Sequence, residues 1–456
     1  MKVQAAFPEI ACYKSDDNST PYRVFGLNGV GASGKNLLSA SWKRSRNEFS
    51  GQFNFTIKED VLLASYSNDT KVKPFLDVVQ PMDVVTFKGD SASGKADFIG
   101  IITDISVSAT AGSYQKSISI TGKSIEHLLE LYCISLDATA MIWAGQQADA
   151  SALAYNFVEN VSSQTDGLPI KDVLMAVYNH FDQVAKQYPG VSNVKISDMI
   201  KTWMGTDFFE CDKDLKFLLP ISSNLMQDST IKFPDYIRNL LPQPVYEFHG
   251  TVVDGKPKVV CRECPFDAED WNGLDTYQIT ADTLTNYALT RSNGEVYTAF
   301  IPYLEGSALS NNHYQVQLAS NGYPHEVIDK EKLAVYGFRP LNCNFVGFKT
   351  EGTSDKDMTE KFKDMASRLK VWYSHLDDMY DGNFTMVATK GKAIPKIGQR
   401  LKFASGQFYI TSLDYSWSYM GSPTIKCQAE RGAEYQNGSF ARAISGLSRP
   451  HVEMMA

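Results

Sequence analysis

The segment 81–129 alternates between short apolar runs and loops of glycine and serine. Its runs are V-V-T-F at 84–87, F-I-G-I-I-T-D-I-S-V-S at 98–108 and K-S-I-S-I-T-G at 116–122. Short runs rich in valine, isoleucine and phenylalanine that end at turn residues are typical of β-strands. The pattern predicts an antiparallel meander, followed by a short helix that Ser124 caps and that carries Ile125, Leu128 and Leu129.

A second segment near the C-terminus repeats this pattern with a shift of 310 residues. Identical residues fall together at five pairs of positions: Phe98 and Phe408, Asp104 and Asp414, Ser106 and Ser416, Ser108 and Ser418, and Gly122 and Gly432. The preceding apolar run matches as well, at two pairs: Val85 and Leu401, and Phe87 and Phe403. These matches predict that the chain contains a duplicated β domain.

A separate shift of 247 residues aligns a hairpin-like stretch with a later part of the chain. The aligned pairs are Arg44 and Arg291, Ser45 and Ser292, Glu48 and Glu295, and Phe53 and Phe300. One strand conflicts with the 310-residue shift, because Ile118 and Ile120 fall on the polar residues Gln428 and Glu430. Since a slip of one residue exchanges the two faces of a strand, we expect this strand to be offset between the copies.

Changes in periodicity divide the chain into five parts. These are a first β domain at 1–130, a helical insert at 131–245, a small β-hairpin region at 246–283, a second β domain at 284–435 with an inserted helix at 356–379, and a C-terminal tail at 436–456. Apolar residues recur every three or four positions from Ile170 to Ala185, which predicts an amphipathic helix, and shorter helices are predicted at 197–204 and 233–241. Asp254-Gly255 between two strand-like runs predicts a hairpin.

The predicted fold class is therefore α+β and mostly β. It consists of two duplicated antiparallel β-barrel or sandwich domains, a helical insert and a small additional β-containing domain. At 456 residues, with 43% hydrophobic residues, the chain is long and apolar enough for several packed domains.

Charge and cysteine usage narrow the functional classes. The chain carries 44 Lys and Arg against 52 Asp and Glu, and this acidic balance argues against a dedicated nucleic-acid binder. No run of about 18 apolar residues predicts a membrane span, and the first ten residues do not resemble a signal peptide. Seven scattered cysteines do not form the pattern of a disulfide framework. We expect a protein that is made and assembled in a cytoplasm.

Two sequence motifs come close to known sites without completing them. Residues 29–35, Gly-Val-Gly-Ala-Ser-Gly-Lys, resemble a phosphate-binding loop, but Asn36 stands where Ser or Thr would bind Mg²⁺, and a hairpin follows instead of a helix. Cys261 and Cys264 form a single Cys-x-x-Cys, for which His249 is the nearest further ligand, whereas a structural zinc site needs four. We interpret the first motif as a flexible loop and predict neither zinc nor redox chemistry at the second.

Two acidic groups could suggest a pair of catalytic carboxylates. They are Asp377, Asp378 and Asp381 in one group, and Asp267, Glu269 and Asp270 in the other. We interpret the first as a solvated helix end and the second as a surface loop. The seven histidines are dispersed and no nucleophile-elbow motif occurs, so no catalytic, cofactor-binding or metal-binding residues are predicted, and no cofactor.

Several short motifs resemble a known family. They are Pro-Met-Asp-Val-Val at 81–85, Phe-Ile-Gly-Ile-Ile-Thr-Asp at 98–104, Ile-Thr-Gly-Lys-Ser at 120–124, the stretch 291–297 and the stretch 408–417. Together they resemble the baseplate hub proteins of contractile phage tails. That family includes the late control protein D type, the hubs of R-type bacteriocins and the N-terminal half of type VI secretion spike proteins.

The resemblance implies a structural protein and not an enzyme. Both β domains would be tube-like, and a homotrimer would form a ring of six similar domains around a central channel. This ring would adapt a six-fold tail tube to a three-fold spike within a virion or bacteriocin particle. The implied partners are the tail tube protein, the spike protein trimer, other baseplate proteins and the tape measure protein, with DNA only as transiting cargo in a phage. Because the chain is acidic, we expect a neutral to acidic channel wall.

Two other functions remain open from the sequence. The first is a tail-associated cell-wall-degrading enzyme, in which the helical insert would present two carboxylates such as Glu210 and Asp212. The second is a nucleotide-dependent assembly factor that would bind phosphate through Lys35.

Overall fold

The computed structural model describes most of the chain. The described residues are 5–26, 36–58, 74–89, 94–109, 116–135, 169–186, 195–211, 230–241, 244–265, 268–305, 328–346, 355–436 and 439–441. Over these ranges the chain is mostly β, with one large antiparallel sheet and several helices, which confirms the predicted fold class.

The strands of the described ranges are numbered in chain order. They are β1 Pro8–Tyr13, β2 Arg23–Phe25, β3 Leu37–Ser45, β4 Gln52–Lys58, β5 Val84–Gly89, β6 Phe98–Ala109, β7 Lys116–Ser124, β8 Cys133–Ser135, β9 Phe209–Cys211, β10 Thr230–Lys232, β11 Tyr246–Val253, β12 Lys256–Glu263, β13 Thr276–Gln278, β14 Leu284–Thr290, β15 Ala299–Glu305, β16 Pro340–Val346, β17 Tyr380–Val387, β18 Arg400–Phe403, β19 Gly406–Ser418, β20 Thr424–Gln436 and β21 Ser439–Ala441.

The helices of the described ranges are numbered in the same way. They are α1 His127–Glu130, α2 Ile170–Lys186, α3 Lys195–Trp203, α4 Phe233–Leu240, α5 Ala268–Gly273, α6 Lys330–Tyr336 and α7 Asp355–Tyr373. None of these described helices is both long and apolar enough to cross a membrane.

The large sheet contains the same arrangement of strands twice. Its order is β14-β17-β20-β19-β3-β4-β7-β6-β5-β1-β2, with β18 also paired to β19 and β13 paired to β18. The first unit is β3-β4-β7-β6-β5 and the second unit is β14-β17-β20-β19-β18, and all neighbours within each unit are antiparallel. The two units are joined where β19 pairs with β3.

Strand registers show which residues of the two units correspond. The pairing of β3 with β4 is irregular between Leu37 and Ser39, and the pairing of β14 with β17 is irregular between Leu284 and Asn286. The two irregular positions are separated by 247 residues, which is the predicted shift. In the same way, Val85 pairs with Gly100 as Leu401 pairs with Phe408. The alignment of Arg44 with Arg291 and that of Val85 with Leu401 are therefore confirmed.

The predicted match of Phe53 with Phe300 is wrong. Phe300 lies on β15, which pairs in parallel with β16 in a separate two-stranded sheet. The counterpart of β4 is β17, because β4 lies between β3 and β7 as β17 lies between β14 and β20. In this correspondence Phe384 occupies the position of Phe55. The insertion of β15, β16, α6 and α7 between the first two strands of the second unit explains the error.

The expected offset between the copies is present, and it is larger than one residue. Ile105 on β6 pairs with Ile120, and Leu413 on β19 pairs with Cys427, so these strands correspond with shifts of 308 and 307 instead of 310. The five predicted pairs of identical residues are therefore wrong, since Asp104 corresponds to Ser412 and not to Asp414. Ile118 then corresponds to Ile425, and both are buried. With the shift of 307 between β7 and β20, apolar residues of one strand correspond to apolar residues of the other, and the conflict is removed.

Glycine on β7 allows a phenylalanine ring to lie flat against the strand. A Cβ atom added to Gly122 would lie 2.0 Å from the Ile101 carbonyl oxygen and 2.5 Å from the Phe53 ring. We expect Gly122→Ala to lower the free energy of unfolding by about 1–3 kcal/mol through overpacking, as measured by urea denaturation. Gly273→Ala is the control, because no atom lies within 4 Å of its added Cβ, and equal effects of both changes would contradict the prediction.

The helical insert packs its apolar stripe into a second core. Helix α2 buries Ile170, Val173, Leu174, Val177 and Phe181, which confirms the predicted amphipathic helix. The same core includes Ile99 and Ile101 of β6, so this strand is covered on both faces at its beginning. The insert therefore rests on the first unit.

Helix α7 ends earlier than predicted. Its last residue is Tyr373, six positions before the predicted end at Met379, and a 3-10 turn at Leu376–Asp378 follows. Ala366, Leu369 and Trp372 are its buried described residues, and Met379 is buried as well. Met379 continues the apolar period although it already precedes β17, and this is why the periodicity overestimated the helix.

Candidate functional site

Part of the predicted chemistry falls outside the described residues. The phosphate-loop-like residues 29–35, including Lys35, lie there, and so do Asp212 and Asp267. Glu210 is described and is exposed on the short strand β9, which pairs in parallel with β12. Glu269 and Asp270 are exposed in the first turn of α5, a short helix and not the predicted surface loop.

The Cys-x-x-Cys motif lies in a buried strand end. Cys261 belongs to β12, and the Sγ of Cys264 lies 3.4 Å from the Pro244 carbonyl oxygen. Burial raises the pKa of the Cys264 thiol above its usual value. Within the described ranges, no group of three or more His, Cys, Asp or Glu residues is arranged to hold a metal ion.

Asp377 and Asp378 of the acidic group at 377–381 form ion pairs with basic residues. Lys332 Nζ lies 2.5 Å from Asp377 Oδ1 and 3.3 Å from Asp378 Oδ2. Partial burial would raise the pKa of Asp377, but hydrogen bonds from Lys332 and Tyr336 outweigh it and lower that pKa. This group therefore attaches α6 to the turn before β17, and it is more constrained than the predicted solvated helix end.

A buried ionic cluster that sequence reasoning missed lies where the β11–β12 hairpin meets the second unit. Its residues are Arg46, Glu247, His249, Arg262, Tyr409 and Glu430. Glu247 Oε2 lies 3.3 Å from Arg262 Nε, and Glu247 Oε1 lies 3.6 Å from Arg46 Nη1. The Tyr409 hydroxyl donates a hydrogen bond to Glu247. We call these six residues the junction cluster.

The charges of the junction cluster stabilise one another. Burial alone would raise the pKa of Glu247, but the charges of Arg262, Arg46 and His249 outweigh burial and hold that pKa well below its usual value. For the guanidinium of Arg46, burial would lower the pKa, and the carboxylates of Glu430 and Glu247 raise it instead. A carboxylate held ionised in this way does not act as a general acid near neutral pH.

Next to the junction cluster, Arg431 connects β20 to α7. Its guanidinium lies 3.9 Å from the centroid of the Trp372 ring and 4.9 Å from that of Tyr373, and it donates a hydrogen bond to the Trp372 carbonyl. Arg431 has a positive φ of 61° and stands just before Gly432. Arg431 therefore has a structural role at this helix end.

One face of the large sheet is polar over most of its strands. On β3, β4, β6, β7, β19 and β20 it presents Ser39, Ser41, Lys43, Gln52, Asn54, Thr56, Lys58, Asp104, Ser106, Ser108, Ser117, Ser119, Thr121, Lys123, Asp414, Ser416, Ser418, Thr424, Lys426 and Gln428. Ser41, Asn54, Thr121 and Asp414 line one shallow concavity on it, which spans both units. Four lysines and two aspartates stand among the residues of this polar face.

Comparisons with known proteins find similarity to solved structures at low sequence identity. No protein-family model matches the sequence, and no curated protein is similar to it. Among solved structures, the 43 kDa tail protein of prophage MuSo2 from Shewanella oneidensis is 12% identical, with a TM-score of 0.46 over 94% of this chain and 98% of that chain.

Two further solved structures are similar at low identity. A tail protein from Neisseria meningitidis is 9% identical, with a TM-score of 0.49 over 93% of this chain and 96% of that chain. The c3393 protein of Escherichia coli, a type VI secretion component, is 7% identical, with a TM-score of 0.40 over 90% of this chain and 77% of that chain. These three solved structures are a prophage tail protein, a tail protein and a type VI secretion component.

Proposed function

We propose that this chain is the structural hub of a contractile injection particle. Three copies form a ring that joins a six-fold tail tube to a three-fold spike. The observation that carries the proposal is the repeat of one five-strand unit within a single continuous sheet. Three chains with two such units each present six similar positions on one side and three identical chains on the other, so both symmetries are satisfied by one closed ring.

The role is structural and not enzymatic. Of the carboxylates considered as catalytic, Asp377 and Asp378 are ion-paired with Lys332, and Glu210 is exposed on a strand. Hydrolysis of a glycosidic bond requires two carboxyl groups placed opposite each other, and neither an ion-paired carboxylate nor a single exposed glutamate supplies that arrangement.

The polar face forms the wall of the central channel. Its hydroxyl and amide groups bind water well, and its lysines are few compared with its serines and threonines. Because affinity for DNA depends on the number of phosphates that lysine and arginine neutralise, such a wall holds a transiting polymer weakly. In the particle, the tail tube and spike proteins would contact the two ends of the ring, and other baseplate proteins and the tape measure protein would be further neighbours.

The first test is the mass of the purified full-length chain by light scattering, alone and with its candidate spike protein. We expect three times the mass of one chain in at least one of the two conditions, and an additional spike trimer in the mixture. Interfaces that form only with a partner present make the second condition necessary. A single-chain mass in both conditions would contradict the ring and would favour the wall-degrading alternative.

A further inference from the structure

Strand β19 has neighbours on both sides along most of its length. On one side it pairs with β20, and on the other it pairs with β18 at its beginning and with β3 from Ser412 to Ser418. Strand β6 is its counterpart in the first unit, and it pairs with β7 on one side and with β5 from Phe98 to Ile101 on the other. No described strand occupies the place beside Asp104–Ala109 that β3 occupies beside β19.

The opposite end of the sheet has the complementary opening. Strand β14 is the counterpart of β3, and it pairs with β17 as β3 pairs with β4. The other side of β3 is filled by β19, whereas no described strand pairs with the other side of β14. The chain thus carries one complete junction between units and the two separate halves of a second one.

We propose that β6 of one chain pairs with β14 of the next copy in the register that joins β19 to β3 within the chain. This inference rests on the proposed ring and specifies how its chains are joined. Val107 of β6 corresponds to Tyr415 of β19, and Leu289 of β14 corresponds to Trp42 of β3. Because Tyr415 lies opposite Trp42 within the chain, Val107 would lie opposite Leu289 of the next copy. In the same register Ser106 lies opposite Thr290 and Ser108 opposite Ala288.

The side chains of the two edges are suited to this register. Ile105 and Leu289 both pack against the core of the sheet, and Val107 continues the same face with 50% of its side chain exposed. Pairing with Leu289 would cover Val107 and extend this core from one chain to the next. Ser106 and Thr290 would then stand together on the polar face, where the inner junction places Asp414 and Lys43.

The open edges lack the features that keep strand edges single. Proteins protect such edges with lysine, proline or inward-pointing charges. Strand β14, Leu-Thr-Asn-Tyr-Ala-Leu-Thr, contains no charged residue, and the outer half of β6 contains only Asp104. Because the two edges differ, the contact is head to tail, and it closes into a ring when the rotation per chain allows it.

Paired cysteines test the register directly. Directly opposite residues of antiparallel strands have Cα atoms about 4.5–5.5 Å apart, within the range of a disulfide. The variant Val107→Cys with Leu289→Cys is made in a background with Cys133→Ser, because Cys133 is an exposed native cysteine. The control is Ser106→Cys with Leu289→Cys, which places the two sulfur atoms on opposite faces of the sheet. Both are oxidised with the candidate spike present and separated on a denaturing non-reducing gel.

We expect a covalent trimer from the Val107/Leu289 pair and uncrosslinked chain from the control. A trimer by light scattering that does not crosslink, or that crosslinks equally in the control, would overturn the seam and leave the proposed ring intact. A ladder extending beyond three chains would support the strand pairing and overturn the closed three-fold ring. A single-chain mass without crosslinks would overturn both.

Discussion

Replacing Glu247 with alanine is expected to lower the free energy of unfolding by about 3–5 kcal/mol, the range for breaking a buried ion pair. Glu247 is 3% exposed, and its carboxylate lies between the guanidinium groups of Arg46 and Arg262. Its removal takes their shared counter-charge from the partly buried Arg46 and Arg262 and from the buried His249, while Arg46 keeps the Glu430 carboxylate at 3.2 Å. Urea denaturation at neutral pH measures the loss.

Glu269→Ala is the matched control for this prediction. Glu269 is an exposed glutamate on α5, so its removal is expected to change the stability by no more than about 0.5 kcal/mol. The Glu247→Gln variant keeps the side-chain volume and removes the charge, and it separates the ionic contribution from packing. Losses of equal size in Glu247→Ala and Glu269→Ala would show that the junction cluster does not hold the hairpin.

The junction cluster also predicts how stability depends on pH. The folded-state pKa of Glu247 lies below its unfolded value, so the contribution of this group is present above the unfolded pKa and is lost as pH falls. The natural chain is expected to lose stability between about pH 5 and pH 2 more steeply than Glu247→Gln. Parallel stability curves for the two proteins over this range would contradict the assignment.

Local features of the fold were predictable from the sequence because nearby residues determine them. The Asp254-Gly255 turn is an example, since both residues adopt positive φ values, 53° and 77°, which Asp and Gly tolerate better than most. The stripe from Ile170 to Phe181 is another, since its spacing alone defines the buried face of α2. The duplication was visible for the same reason, as the apolar runs of both copies remain intact.

Other features depend on contacts between distant parts of the chain. A strand irregularity such as that between Gln407 and Tyr409, which has no counterpart in the pairing of β6 with β7, adds one residue without a sequence signature, so the shift between copies could not be fixed by matching residues. The junction cluster combines Arg46 with Glu247 and Arg262 from elsewhere in the chain, and each alone is an ordinary charged residue. The one available signal was the presence of glutamate and histidine in the otherwise apolar strand Tyr246–Val253.

Trp42→Ala is expected to lower the free energy of unfolding by about 3–5 kcal/mol, because it leaves a large cavity at the junction of the two units. Trp42 is 3% exposed. Its ring stacks on Phe98 of the first unit at 5.5 Å between centroids and on Tyr415 of the second unit at 5.8 Å. Trp42→Phe keeps an aromatic ring in this place, and we expect it to lose less than half as much stability.

The regions in which amide hydrogen exchange increases distinguish a residue that joins the two units from an ordinary core residue. If Trp42 holds the units together, amide hydrogen exchange in Trp42→Ala should increase at Ser412–Ser418, which pairs with β3, and remain unchanged in the β11–β12 hairpin. Equal increases in both regions would indicate general destabilisation instead.

This inner junction is the template for the proposed seam between chains, but the two differ in strength. The inner junction carries the Trp42–Tyr415 stack, whereas the seam would carry Val107 against Leu289, a smaller apolar pair. In a ring of three chains, strong and weak junctions would therefore alternate. Such a ring would repeat the five-strand unit six times and each kind of junction three times. Trp42→Ala is expected to weaken the three junctions within the chains, which form before assembly.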